Sequence, residues 1–279
     1  MNHSLNKLYQ AAGISKQAVD QYAKRQQVFD GQVSGLLLEA ETLRAAHPGC
    51  GVEKMYYTLR PDFIGRDRFV ELFMGLGYRL KHKKNYRRTT IASKLYYPNL
   101  IKGMVVNQPS QLWQSDITYI QVKDKFYYTV FIVDVFTRKI VGYQVSDHMR
   151  ASANVAALEM ALKNHPPPKI HHSDRGSQYT YKGYVEKLKG LGCRISMGLT
   201  AQDNAYAERI NGIIKNEYID YWKPQTLREL MTCVQDAVNN YNVKRIHNSM
   251  KRLSPETVQA NYVNNHLDYT FNTRIYQEN

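Results

Sequence analysis

Three consecutive apolar, β-branched and aromatic runs constrain this chain more than any other feature: 112–122 (LWQSDITYIQV), 126–135 (FYYTVFIVDV) and 139–145 (KIVGYQV). Only Lys123-Asp124-Lys125 and Thr137-Arg138 separate them, so they predict three sequential antiparallel strands. The pattern then alternates. A helix is expected near 152–164, ended by Pro166-Pro167-Pro168, which cannot continue it. A strand at 169–173, a helix near 181–190, a strand at 193–197 and a long helix at about 204–222 follow. A helix at 226–242 places Leu227, Leu230, Met231, Val234, Val238 and Tyr241 on one face. Ser254-Pro255 supplies a cap and a first-turn proline for a last short helix. The order βββαβαβα predicts an α/β domain built on a mixed sheet.

The first hundred residues have a different period. Leu5, Leu8, Tyr9 and Ala12 make one helix face, Gly13 breaks it, and Ser15 is placed to cap a second helix through about Lys24. Helix, glycine turn and helix in some twenty residues is helix-turn-helix spacing, with Lys16, Gln17, Gln21 and Lys24 on the outward side. Residues 31–46 predict a connecting helix. Val52, Met55, Tyr56 and Leu59, then Phe69, Leu72, Phe73 and Leu76, repeat the paired-helix pattern. This pair is either a second helix-turn-helix or a small helical bundle. The expected divisions are therefore 1–46, 47–78, a basic linker at 79–106, an α/β core at 107–222 and a helical extension at 223–279.

Charge is unevenly placed. The chain of 279 residues carries a net charge of +14, and no acidic residue stands between Glu71 and Asp116. That stretch holds Arg79, Lys81, Lys83, Lys84, Arg87, Arg88, Lys94 and Lys102, interleaved with Tyr78, Tyr86, Tyr96 and Tyr97. A single-sign basic run with aromatics fits a strip that contacts a phosphate backbone, Lys83, Lys84, Arg87 and Arg88 being its centre; a basic linker is the plainer reading. Cys50, Cys193 and Cys233 form no CxxC pair, which excludes a disulfide scaffold or a cysteine-rich zinc module. No signal-like or membrane-spanning apolar run is present, so a cytoplasmic protein is expected, with no membrane partner.

Three carboxylates occupy positions that call for a reason. Asp116 lies inside the first strand, Asp174 at the end of the fourth, and Glu208 early in a helix. Aspartate is depleted in strands, and a buried unpaired carboxylate is costly. Asp116 thus needs either an arginine or a cation. Asp116, Asp174 and Glu208 together would form an all-oxygen site for Mg²⁺ or Mn²⁺. Asp134, also in a strand, reads as structural; Asp203 and Asn204 read as a cap for the helix bearing Glu208; His171 and His172 read as packing groups.

The blocks around these carboxylates resemble a family. Trp113-Gln114-Ser115-Asp116-Ile117-Thr118-Tyr119-Ile120, His171-His172-Ser173-Asp174-Arg175-Gly176-Ser177-Gln178-Tyr179 and Asp203-Asn204-Ala205-Tyr206-Ala207-Glu208 are similar to the three carboxylate motifs of bacterial insertion-sequence transposases of the IS-three family, second-reading-frame product. Val133 to Gly142, and Tyr241-Asn242 through Leu253-Ser254-Pro255-Glu256, also match that pattern. The 33 residues between Asp174 and Glu208 are close to the spacing of the DDE group. The resemblance implies a ribonuclease H-like core with a mixed five-stranded sheet and an Asp116, Asp174, Glu208 triad holding two Mg²⁺ (or Mn²⁺) ions. It implies DNA cleavage at element ends and transfer of the 3′-hydroxyl to a target strand. The implied partners are terminal inverted repeats and target DNA, a second copy or more of this chain, and the first-reading-frame product, on the bacterial nucleoid. Asn211 and Lys215 share a helix face with Glu208, so both are expected to meet DNA. A nuclease without strand transfer and a non-catalytic DNA-binding regulator are the rival expectations.

Overall fold

The computed structural model describes residues 9, 11–80, 96–267 and 273–275. They divide into two compact units, one of residues 1–46 and 50–81, the other of residues 47–49 and 82–279.

The first unit is helical. Helix α1 (Lys16–Ala46) runs unbroken for 31 residues. The short second helix and separate connecting helix expected from the sequence are therefore one element. No proline interrupts it, and Gly31 and Gly35 are open positions that cost helix propensity, about 1 kcal/mol each, without stopping it. The helix expected at 5–12 lies almost wholly outside the described residues. Helices α2 (Val52–Leu59) and α3 (Arg66–Gly75) form the expected pair. Leu36 and Ala40 of α1 pack with Met55, Phe69 and Phe73 into one core. The described residues 16–46 and 52–75 thus pack around one shared core.

The second unit is built on a five-stranded sheet of order β4-β3-β2-β5-β6. A two-residue strand β1 (Val105–Val106) precedes β2 (Leu112–Val122), β3 (Lys125–Asp134) and β4 (Ile140–Ser146), which run antiparallel in sequence. The β2–β3 turn is tight, and Lys123 takes a left-handed φ of 51° there, the sign that two-residue hairpins need. Helix α4 (Ala151–Asn164) leads to β5 (Ile170–Ser173), which pairs parallel with β2 in the register Ser115↔Ser173. Helix α5 (Lys182–Gly190) and β6 (Arg194–Met197) complete the sheet. Helix α6 (Ala205–Ile214) then passes into a π-helical turn (Lys215–Ile219) rather than continuing regularly to 222. Helices α7 (Leu227–Val243) and α8 (Pro255–Val263) follow, capped by Thr226 and Ser254, and β7 (Thr273–Arg274) pairs with β1.

Strand alternation divides the core between two layers. Phe131 and Val133 face α6 and α7, packing with Ile210, Ile214, Leu230 and Val234. Val130 and Ile132 face α4 and α5, packing with Ala157, Leu158 and Leu188. A third cluster joins Ile101 and Val106 to Met250, Val258 and Ile275. Residues 96–106 are thus part of the core's edge and not a linker, and the segment after 222 is integral to the unit rather than an appendage. Among the described residues no helix is long and apolar enough to cross a membrane.

Candidate active site

Three elements bring the carboxylates together. Asp116 sits midway along β2, the central strand; Asp174 follows the last residue of β5; Glu208 lies in the first turn of α6. Parallel pairing of β2 with β5 puts Ser115 opposite Ser173, so the next residue on each strand is one of the two aspartates. Asp116 and Asp174 are half-buried and Glu208 is exposed, so the cluster opens to solvent.

Charge repulsion follows from this arrangement. Desolvation, then the charges of Asp174 and Glu208, pushes the Asp116 carboxyl from 3.8 up to about 8. Hydrogen bonds from the Ile117 backbone and the Asn211 amide oppose that rise, the latter donating from Nδ2 to Oδ2 at 2.8 Å. Desolvation also raises Asp174, whose Oδ1 accepts the Gly176 N–H at 3.0 Å. A Cβ at Gly176 would stand 3.0 Å from that same oxygen, so a residue without one suits the turn. Desolvation and then the charge of Asp174 raise Glu208. None of the three carboxylates enters an ion pair among the described residues. Nor are any three His, Cys, Asp or Glu side chains among them already grouped closely enough to hold a metal ion.

Asn211 departs from expectation. It is 7% exposed, and its amide serves Asp116 rather than an outward face. Lys215 is partly exposed at the start of the π-helical turn, and a Cβ at Gly212 would meet nothing nearer than 3.9 Å. Lys16, Gln17, Gln21 and Lys24 are exposed on the first turns of α1. Lys83, Lys84, Arg87 and Arg88 lie outside the described residues. Asp134 is buried and accepts the backbone N–H of Ser110 and of Thr137, a structural use. His171 and His172 are buried against Tyr184 and Ser196. Asp203 closes a capping box with Thr200, while Asn204 makes no side-chain cap bond and donates instead to the Ser115 carbonyl at 2.9 Å. Sequence reasoning missed Gln114, whose carboxamide meets the start of α6; its spacing of two from Asp116, which puts both on one strand face, was the available signal.

The mixed sheet with helices on both faces, carrying two aspartates at its central strands and a glutamate on the adjoining helix, defines a ribonuclease H-like integrase core. Two family models described as "Integrase core domain" match residues 106–202 and 189–255. The chain is 38% identical over 227 residues to the transposase for insertion sequence element IS629 of Shigella sonnei, covering 77% of this chain and 75% of that protein. It is 32% identical over 207 residues to the IS600 31 kDa protein of the same organism, covering 71% and 76%. Among solved structures, the simian T-cell lymphotropic virus intasome in complex with a phosphatase regulatory subunit shares the fold, with a TM-score of 0.50 at 16% identity, covering 78% of this chain and 73% of that one. The chain belongs to the IS-three family of insertion-sequence transposases, enzymes of the DDE polynucleotidyl transferase class.

Proposed function

We propose that this transposase cleaves DNA at the ends of its element and joins the freed 3′-hydroxyl to a target strand, with Asp116, Asp174 and Glu208 holding two Mg²⁺ or Mn²⁺ ions. One observation carries the reading: Asp174 and Glu208, from separate elements, raise the proton affinity of Asp116, Asp174 raises that of Glu208, and none of the three has a cationic partner among the described ion pairs. Mg²⁺ or Mn²⁺ matches the donor chemistry of this all-oxygen carboxylate set. Held by Asp116, Asp174 and Glu208, such ions would supply electrostatic stabilisation to the oxygens of an in-line phosphodiester displacement. The chain's own part is positional. The central strand holds Asp116 rigidly, the Gly176 N–H orients Asp174, and the exposed Glu208 side chain has the freedom to close the set.

The same reading assigns Lys215 to a DNA phosphate, supported by its partial exposure. Lys16, Gln17, Gln21 and Lys24 on α1, and the basic segment of Lys83, Lys84, Arg87 and Arg88, also meet DNA; phosphate contacts from such residues are sequence-independent. A multimer on DNA, with or without the first-reading-frame product, and a nucleoid location belong to the same proposal. Asn211 is reassigned from a base contact to the support of Asp116.

The test is incubation of the protein with Mg²⁺, supercoiled plasmid and candidate element ends. Joined products are expected, and Asp116→Asn is expected to lose both cleavage and joining while binding DNA as before. Cleavage without joining would make the protein a nuclease, and Mg²⁺-dependent cleavage by Asp116→Asn would overturn the triad.

A further inference from the structure

Helix α6 starts without the usual side-chain cap. A helix leaves its first N–H groups unpartnered, and the residue just before it normally supplies an oxygen to them. Here that residue, Asn204, makes no such bond and directs its amide to the Ser115 carbonyl. The N–H groups of Tyr206 and Ala207 are instead accepted by Oε1 of Gln114, at 3.1 and 3.4 Å, while Gln114 Nε2 donates to the Asp203 carbonyl at 3.2 Å. Gln114 is 1% exposed and two residues before Asp116 on the same strand face. Asn211, further along α6, completes the series by donating to Asp116 itself.

Three successive residues of β2, 114, 115 and 116, are therefore each bonded to the helix that carries Glu208 or to the residue that opens it. All the partners offered to β2 come from amides and backbone, so the lacing adds no charge to a crowded anionic site. A slip of α6 along its axis would break every one of these bonds at once. Glu208 directly follows Ala207, so the capped N–H groups set the height of its Cα relative to Asp116. Its side chain remains free to turn.

We propose that Gln114 is a positioning residue: its carboxamide caps α6 from the neighbouring strand and fixes the backbone of Glu208 against β2, from where the free Glu208 side chain can turn to complete the metal site with Asp116. The inference rests on the triad reading above. Partners that orient metal ligands are worth about 10- to 100-fold in metal affinity.

Gln114→Met keeps the volume and removes every polar bond; Gln114→Glu keeps the acceptor for Tyr206 and Ala207 and loses the donor. Hydrogen exchange read at the amides of 205–208, and Mn²⁺ binding followed by electron paramagnetic resonance on the full chain, report on the two halves of the claim. Gln114→Met is expected to expose the Tyr206 and Ala207 amides and to raise the half-saturating Mn²⁺ concentration by about 10-fold or more. Gln114→Glu is expected to restore their protection. Unchanged exchange and unchanged Mn²⁺ binding in Gln114→Met would overturn the proposal. If that variant does not fold, unprotected Tyr206 and Ala207 amides in Gln114→Glu overturn it alone. Asp116→Asn run alongside separates the two claims: if it binds Mn²⁺ as the parent does, the metal reading fails, whereas if it loses Mn²⁺ and Gln114→Met does not, only the positioning role fails.

Discussion

Asp116→Asn should stabilise the metal-free protein by an amount that grows as pH rises above about 4 and is complete above about pH 8. In the folded chain the Asp116 carboxyl holds its proton up to about 8, against 3.8 for the ordinary group. Between those values the unfolded chain releases a proton that the folded chain keeps. Folding stability associated with this group is thus complete below about pH 4, declines as pH rises, and is fully lost above about pH 8. At about 1.4 kcal/mol per pH unit the window corresponds to a ceiling of ~6 kcal/mol. The carboxylate retains a solvent edge and its neighbours can relax, which screening reduces to about 2 kcal/mol. For a unit of this size that is a rise in Tm of roughly 4–8 °C. Asparagine removes the charge and can still accept the Asn211 amide. Thermal melts in chelator at pH 4 and pH 9 should show no difference between variant and parent at the lower pH and the full gain at the higher. Adding Mn²⁺ at pH 9 should reverse the order, because only the parent carries the complete carboxylate set. A gain independent of pH, or a variant less stable than the parent at pH 9, would refute the electrostatic reasoning.

Other outcomes follow from particular contacts. Lys215→Ala should lose joining of pre-cleaved ends while retaining Mn²⁺ binding, measured by strand-transfer assay and metal titration; intact joining would remove Lys215 from the DNA path. Arg245, 8% exposed, holds Glu217 through two bonds of 2.7 Å, so Arg245→Ala leaves a half-buried carboxylate without its guanidinium and should cost about 3–5 kcal/mol in urea unfolding. Gly142→Ala would put a Cβ 2.2 Å from the Ala157 carbonyl oxygen, forcing α4 from β4; a loss of about 1–3 kcal/mol is expected in the same measurement.

Local period and short motifs make much of this protein legible in its amino-acid sequence. Side chains alternate along β2 to β4 and recur at helical spacing along α4, α5 and α7, because each element buries one face and that preference is encoded residue by residue. Asp116, Asp174 and Glu208 stand out because carboxylates in or beside apolar strands demand a reason. What the sequence does not convey is which element each segment will meet. Nothing between Ser15 and Ala46 forbids a single helix, and only packing of Leu36 and Ala40 shows where its far half is held. Residues 96–106 look aperiodic, yet Ile101 and Val106 are buried because α8 and the segment through Ile275 return to cover them. Helical spacing alone gives Asn211 an outward role, whereas the fold sets its amide 2.8 Å from a carboxylate 95 residues earlier. Gln114 reaches across 92 residues to cap a helix that has no side-chain cap of its own. A hydrogen bond between distant segments leaves no local pattern; it exists only once the β2–β5 register and the packing of α6 bring the two groups within reach.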